Sequence, residues 1–135
     1  MPPDDDVEII REAFARWTER DIDYWILHAQ PDVEIWSKYA ALEGGGEPYH
    51  GHAGIREWRT EIDRNFELHE VFADEVQSVS GKVLVLGEVH FRGKASSIEM
   101  RHPFAWICEM RDGALSRMFF YSSHAAALEA VGRVE

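Results

Sequence analysis

Residues 99–123, EMRHPFAWICEMRDGALSRMFFYSS, decide how this chain folds. In the first half of the stretch, apolar side chains occupy the even positions while charged ones fall among the odd positions. This period-two pattern is typical of a half-buried strand. Asp112-Gly113 then separates this run from a second apolar run, and the dipeptide is a strong signal for a tight hairpin. The stretch therefore predicts two antiparallel strands, at 99–111 and 114–123.

The same alternation extends upstream and predicts two more strands, near 68–79 and 82–94, joined at Ser80-Gly81. The even positions of 101–111 are the apolar set, so they are expected to face inward. The last strand is apolar on both faces. We therefore expect the outer face to be covered, with a second copy of the chain as the natural cover and Glu88, His90 and Arg92 as candidate interface residues.

The residues before the sheet read as helices. Apolar side chains at helical spacing predict one helix over about 6–19 and a short one after Asp21, ended by Pro31-Asp32. Strand formers follow at 33–38, and the loop after them, which runs through Gly44-Gly45-Gly46 to Pro48, is a candidate lid. A third helix is predicted from the spacing of Ile55, Trp58, Ile62 and Phe66, with charged residues on its flanks: Arg56, Glu57, Arg59 and Glu61. Residues 125–131 are predicted to form a short C-terminal helix.

Composition and charge limit the possible functions. The 135 residues suit one domain, 1–135, and carry a formal net charge of −11. Such an acidic chain repels phosphate, so neither nucleic acid nor an anionic membrane is an expected partner. The N-terminal sequence is acidic where a secretory signal would be basic and then apolar, which favours the cytoplasm. Cys108 is the only cysteine, so we expect no internal disulfide and no thiol-based metal site.

The order of these elements, together with several segments, resembles the SnoaL-like branch of the nuclear-transport-factor-2-like superfamily. The segments are PDVE at 31–34, YHGHAGIREW at 49–58, VLVLGEVHFRGKASS at 83–97, PFAWICEMRDG at 103–113 and ALEA at 127–130. The resemblance implies an α+β fold in the form of a cone-shaped α+β barrel. Three N-terminal helices would pack on a curved, mostly antiparallel sheet and enclose a pocket for a small apolar molecule.

The superfamily includes steroid isomerases, polyketide cyclases, epoxide hydrolases and dehydratases, so the resemblance alone names no reaction. The carboxylate base of a steroid isomerase aligns with Ser37, its tyrosine with Ala13 and its buried acid with Trp106. Many SnoaL-like sequences also carry an aspartate two residues after the tyrosine of the last strand. In this chain Tyr121 is followed by Ser122, Ser123 and His124, so an aspartate-based mechanism is not indicated.

His102, on the strand face that is predicted to point inward, is the first candidate for a catalytic group, because imidazole transfers protons near neutral pH. Tyr121, Tyr24 and Tyr39 are candidates to donate a hydrogen bond to a substrate oxygen. The expected substrate-binding residues are large aromatic or apolar side chains and one histidine at the pocket entrance: Phe14, Trp17, Trp36, His50, Trp58, Phe104, Trp106, Met118 and Phe120. The His50-Gly51-His52 spacing lacks a third ligand, so we predict no metal.

These residues predict a cofactor-independent isomerase, cyclase or hydrolase that acts on a small apolar substrate by general acid-base catalysis, with His102 as the proton shuttle. The alternative is a non-catalytic binding module, which the missing carboxylates favour. A third possibility is a dimerisation domain with a residual cavity. Filling of the cone by Trp17, Trp36, Trp58 and Trp106 would favour that interpretation.

Overall fold

The computed structural model describes residues 3–36, 48–95 and 98–132. The first part contains helix α1 (Pro3–Thr18), helix α2 (Ile22–Leu27) and strand β1 (Ala29–Trp36). Strand β2 (Tyr49–His50) and helix α3 (Gly51–Asn65) lead into the long strands. These are β3 (Phe66–Val79), β4 (Lys82–Gly93), β5 (Glu99–Arg111) and β6 (Ala114–Tyr121), followed by helix α4 (His124–Gly132). The predicted α+β class and the four long strands are confirmed.

The six strands form one curled sheet in the order β2-β1-β6-β5-β4-β3. All neighbours pair antiparallel except β1 and β6, which are parallel. Both predicted hairpin turns are present, with positive φ at Ser80 and Gly81 (52° and 78°) and at Asp112 and Gly113 (53° and 79°). Positive φ at both central residues is the type I′ geometry that matches the twist of paired strands.

The end of the second helix was predicted too late in the sequence. α2 ends at Leu27, and Pro31-Asp32 lie inside β1. A proline is tolerated there because the pairing of β1 with β6 is irregular between Ala29 and Glu34, so no regular ladder bond is lost. The expected lid falls largely on residues 37–47, which lie outside the described part of the chain.

Helices cover both faces of the sheet. α1, α2 and α3 pack against the inner face, where the main core contains Val83, Val85 and Met118. α4 packs on the outer face, where Ala127 and Val131 contact a second cluster that includes Leu84 and Ile107. The outer face is thus covered in part by the chain's own C-terminal helix, a cover that the sequence analysis had assigned to a second copy. Among the described residues, no helix is long and apolar enough to cross a membrane.

Candidate functional site

Aromatic rings in direct contact fill the inner part of the cone. Trp17 and Trp58 lie 4.4 Å apart between ring centroids, and Trp58 lies 5.7 Å from Trp106. Phe14 and Phe104 are 5.9 Å apart. Each of these five side chains is at most 6% exposed, so they exclude water from the base of the site. The structure therefore brings together five of the predicted lining residues, although contact with a ligand stays a prediction.

The other predicted lining residues divide between the two faces of the sheet. Met118 is fully buried in the inner core, and the Phe120 ring lies 5.3 Å from Trp106. Trp36 stacks on Phe119 at 6.2 Å, and Phe119 pairs with a residue of the outer cluster. Trp36 therefore lies on the outer face, and it does not help fill the cone. His50 is exposed in the short strand β2.

The three predicted catalytic residues are not brought together. His102 belongs to the inner face of β5, but its side chain is exposed. Tyr121 packs against the outer cluster. Tyr24 stacks on His28 at 4.1 Å in α2, where burial raises its pKa. Tyr39 lies outside the described residues. His102 therefore needs a different partner if it is to act on a substrate.

The ring of His102 is held in one tautomer when it is neutral. Its Nδ1 lies 2.8 Å from the carbonyl oxygen of Pro103. Because a carbonyl only accepts hydrogen bonds, Nδ1 must carry the proton, and the lone pair of the neutral ring is then on Nε2. His102 therefore presents a basic nitrogen.

Sequence reasoning missed His69, which the structure places at the start of β3 against the end of α1. The indole Nε1–H of Trp17 donates to His69 Nδ1 at 3.0 Å. Since an indole only donates, the proton of the neutral ring is on Nε2. The ring also packs edge-on against Trp17 and against Phe66, with centroids 5.9 and 5.6 Å away. The neutral His69 ring therefore carries its proton on Nε2, the nitrogen that holds the lone pair in His102.

The environment keeps His69 neutral. Burial lowers its pKa to about 4, and the charge of Arg59 acts in the same direction, while Asp63 opposes it and Arg20 adds a small further lowering. At neutral pH the ring is therefore uncharged. A neutral imidazole held in this way can donate to a substrate oxygen without first losing a proton.

Arg59, which the sequence analysis placed on a flank of the third helix, is buried. The residue is only 7% exposed. Its guanidinium donates to both oxygens of Asp63, at 2.8 and 3.3 Å, and to the Trp17 carbonyl at 3.2 Å. It also lies 4.5 Å from the centroid of the Trp17 ring. The Trp17 carbonyl, near the end of α1, also accepts from the backbone N–H of Arg20 at 3.0 Å. Arg59 therefore adds a second hydrogen bond there while fixing the indole that orients His69.

Two rows of inner-face residues connect the histidines. His69 pairs with Phe91, which pairs with Met100; in the next row Val71 pairs with Val89, which pairs with His102. Paired residues lie on the same face of a sheet, and the strand spacing puts the two histidine Cα atoms about 12 Å apart. Met100 is 51% exposed and the apolar side chains between the histidines are half-buried. We call this open patch the mouth: His69, Val71, Val89, Phe91, Met100 and His102.

Of the two histidines at the start of the third helix, His52 has a structural role. His52 Nε2 lies 3.0 Å from the Ala29 carbonyl and ties α3 to β1. Within the described ranges, no three His, Cys, Asp or Glu side chains are placed to hold a metal ion.

A family model for the SnoaL-like domain matches residues 10–118, and the chain belongs to that family. A nuclear-transport-factor-2-like protein of unknown function from Burkholderia pseudomallei has a similar structure, with a TM-score of 0.78 at 16% identity, covering 94% of this chain and 97% of that one. TerC, co-crystallised with polyporic acid, has a TM-score of 0.77 at 24% identity, covering 95% and 98%.

A Catenulispora acidiphila protein with a ketosteroid isomerase-like fold, in complex with trimethylamine, has a TM-score of 0.74 at 18% identity, covering 93% of this chain and 92% of that one. No curated protein sequence matches this chain significantly. At these identities the similar structures show the shared fold alone.

Proposed function

We propose that this protein binds a small, apolar, ring-bearing carbonyl compound at the mouth and moves a proton on it, as a cofactor-independent isomerase or cyclase. The observation that carries the proposal is that two histidines on one concave face present opposite functions. His102 offers a lone pair on Nε2, and His69 offers an Nε2–H. A base and a hydrogen-bond donor are the two groups that enolisation requires.

The proposed step is balanced without a co-reactant. Nε2 of His102 takes a proton from the carbon next to the carbonyl, and the electron pair of the broken C–H bond forms an enolate. The enolate oxygen accepts the hydrogen bond of His69 Nε2–H. When the imidazolium of His102 first exchanges its Nε2 proton with solvent and then protonates the same carbon, the result is hydrogen exchange. When it delivers the proton to a conjugated carbon, the result is isomerisation.

The surroundings suit such a substrate. Val71, Val89 and Phe91 offer an apolar wall between the two histidines, and an apolar wall with few polar groups is typical of small-molecule sites. The buried aromatic rings below exclude water, which strengthens a hydrogen bond to a developing charge. Two proteins of the same fold were solved with small organic molecules, polyporic acid in TerC and trimethylamine in the Catenulispora protein, which supports a ligand of this size.

The proposal is tested first by thermal shift against cyclic enones, aryl ketones and hydroxyquinones. A ligand at a hundred times its Kd stabilises the folded state by about 2.7 kcal/mol. For each compound that binds, proton exchange at the carbon next to the carbonyl is then followed by NMR in D₂O. We expect exchange with the wild type and a loss of at least ~100-fold in His102→Gln, because general base catalysis contributes that much.

His90→Gln is the matched control, since His90 lies on the neighbouring strand but on the outer face, 2.7 Å from Glu88. It should bind and exchange like the wild type. If His102→Gln exchanges at the wild-type rate, His102 is not the base. If the wild type binds a compound at the mouth but exchanges no proton, the non-catalytic binding module replaces the enzyme. If no compound binds, the filled cone of Trp17, Trp58 and Trp106 favours a structural domain.

A further inference from the structure

Three charged side chains lie together next to Trp17, at the junction of α1 and α3. Asp63 accepts hydrogen bonds from Arg59, at 2.8 and 3.3 Å, and from Arg20, at 2.8 Å. Two guanidinium groups therefore share one carboxylate, which leaves one positive charge without a counter-charge inside the group. We call these three residues the charge cluster: Arg20, Arg59 and Asp63. It is locally positive in a chain whose formal net charge is −11.

The charge cluster acts on the imidazole of His69. Burial is the main cause of the low pKa of this ring; Arg59 lowers the pKa further, Asp63 opposes it, and Arg20 adds to the lowering. A nearby positive charge disfavours the protonated ring. The same charge favours a negative charge on an oxygen that binds to the neutral ring, because the sign of the interaction is reversed.

Trp17 connects the charge cluster to His69. The guanidinium of Arg59 lies 4.5 Å from the centroid of the indole, and the indole Nε1–H donates to His69 Nδ1 at 3.0 Å. A cation beside the indole withdraws electron density and makes its N–H a stronger donor. A strong donor at Nδ1 in turn strengthens the Nε2–H of the same imidazole, since linked hydrogen bonds polarise one another.

The mouth contains no carboxylate that would cancel this effect. Glu70 follows His69 and Glu99 precedes Met100, and successive strand residues point to opposite faces, so both glutamates belong to the outer face. Glu99 also accepts from Arg92 at 2.9 Å. The positive potential at His69 therefore comes from below the mouth, and its inner face adds no negative side chain.

We propose that the charge cluster makes His69 Nε2–H select an anionic oxygen over a neutral one, with Arg59 as a positioning residue that acts through Trp17. This inference rests on the proposed function, in which the bound oxygen becomes an enolate. Hydrogen bonds to a charged acceptor are about twice as strong as those to a neutral one. An interaction that is stronger with the enolate than with the carbonyl accelerates the reaction, whereas equal interaction with both would only tighten binding.

The test compares two probes of nearly the same shape. One is 5-phenylcyclohexane-1,3-dione, which in neutral buffer ionises to a stable cyclic enolate, and the other is its methyl enol ether, a neutral enone. Isothermal titration calorimetry gives the Kd of each probe. We expect the wild type to bind the enolate at least ~10-fold more tightly than the ether. Nitrogen-15 NMR locates the probes, because the His69 Nε2 resonance should shift when an oxygen binds there.

Two variants weaken the selection in different ways. Arg20→Gln removes the unbalanced charge at an exposed position and should reduce the preference for the enolate about threefold. Trp17→Phe breaks the connection to His69 and should remove most of the preference, because Nδ1 then has no donor to polarise the ring. A loss of folding stability alone would weaken the binding of both probes alike, so the ratio of the two Kd values separates positioning from a structural role.

Each variant has a matched control. Arg64→Gln removes an exposed arginine of α3 that pairs with Glu61, and Trp25→Phe removes a buried indole that donates to the Ala13 carbonyl. Both controls should keep the full preference for the enolate.

The outcomes separate this inference from the proposed function. A wild type that binds both probes equally overturns the inference and leaves the proposed function in place. A preference that survives in Arg20→Gln and Trp17→Phe, or that falls as far in the controls, also overturns it. A preference for the enolate without proton exchange on any compound supports the charge cluster and rejects catalysis. If neither probe binds the wild type, both proposals fail.

Discussion

Replacing His69 with glutamine should remove a specific part of the pH dependence of stability. In the folded chain the pKa of His69 is lowered from 6.5 to about 4 by burial and by Arg59, whereas the unfolded chain binds a proton below about 6.5. Between these two values the unfolded state therefore holds more protons than the folded state. Stability contributed by the neutral ring is thus complete above pH 6.5 and is lost as the pH falls towards 4.

The size of the effect follows from the two pKa values. Lowering the pH from about 7 to about 4.5 should cost the wild type about 2 kcal/mol through this residue alone. His69→Gln has no titrating ring, and its amide oxygen can still accept the Trp17 indole hydrogen bond. The carboxylates titrate in both proteins, so the difference between wild type and variant isolates His69.

The assay is urea unfolding of both proteins at several pH values across this window. We expect the stability difference between wild type and variant to shift by about 2 kcal/mol in favour of the variant at low pH. Nitrogen-15 NMR of the His69 ring should show the Nε2–H tautomer down to about pH 5. Parallel pH profiles for the two proteins, or a ring that is protonated near pH 6, would refute the claim that His69 is kept neutral.

Three further predictions concern packing. Arg59→Met should destabilise the fold by about 3 kcal/mol in urea unfolding, because it removes the charge-assisted hydrogen bonds and the cation–π contact of a buried guanidinium. Arg20→Met, at an exposed ion pair, should lose under about 1 kcal/mol. Gly87→Ala should lose more than about 3 kcal/mol, because its Cβ would collide with the carbonyl oxygen of Phe72 on β3. Gly81→Ala, at φ +78° with open space around it, should lose about 1–2 kcal/mol; equal losses would contradict this account. Cys108 is fully buried and should react with a thiol reagent only at the rate of unfolding; fast labelling of the native protein would disprove it.

The long strands were predictable because their signals are local. Each strand repeats with period two, and each turn dipeptide supplies residues suited to positive φ. The parity of β5 also identified Phe104, Trp106 and Cys108 as inner-face residues, which the core confirms. Such information lies within about twenty neighbouring residues.

The candidate site was less predictable because it depends on contacts between distant segments. Trp17 and His69 are 52 positions apart, and Arg59 reaches Trp17 across 42 positions. An arginine on a helix flank is usually exposed, and only the docking of α1 beside α3 buries this one. Trp36 was assigned to the wrong side of the sheet for a similar reason, since the face of β1 is set by its register against β6.

The parallel pairing of β1 with β6 has a consequence for the order in which the protein folds. Its partners, such as Trp36 and Phe119, lie more than eighty residues apart in sequence, whereas β3 to β6 form three consecutive hairpins. Closing a long loop loses more chain entropy than closing a short one. We therefore expect the hairpins to assemble first and β1 to dock onto the edge of β6 late, so that the chain's folding time is set by this one parallel contact.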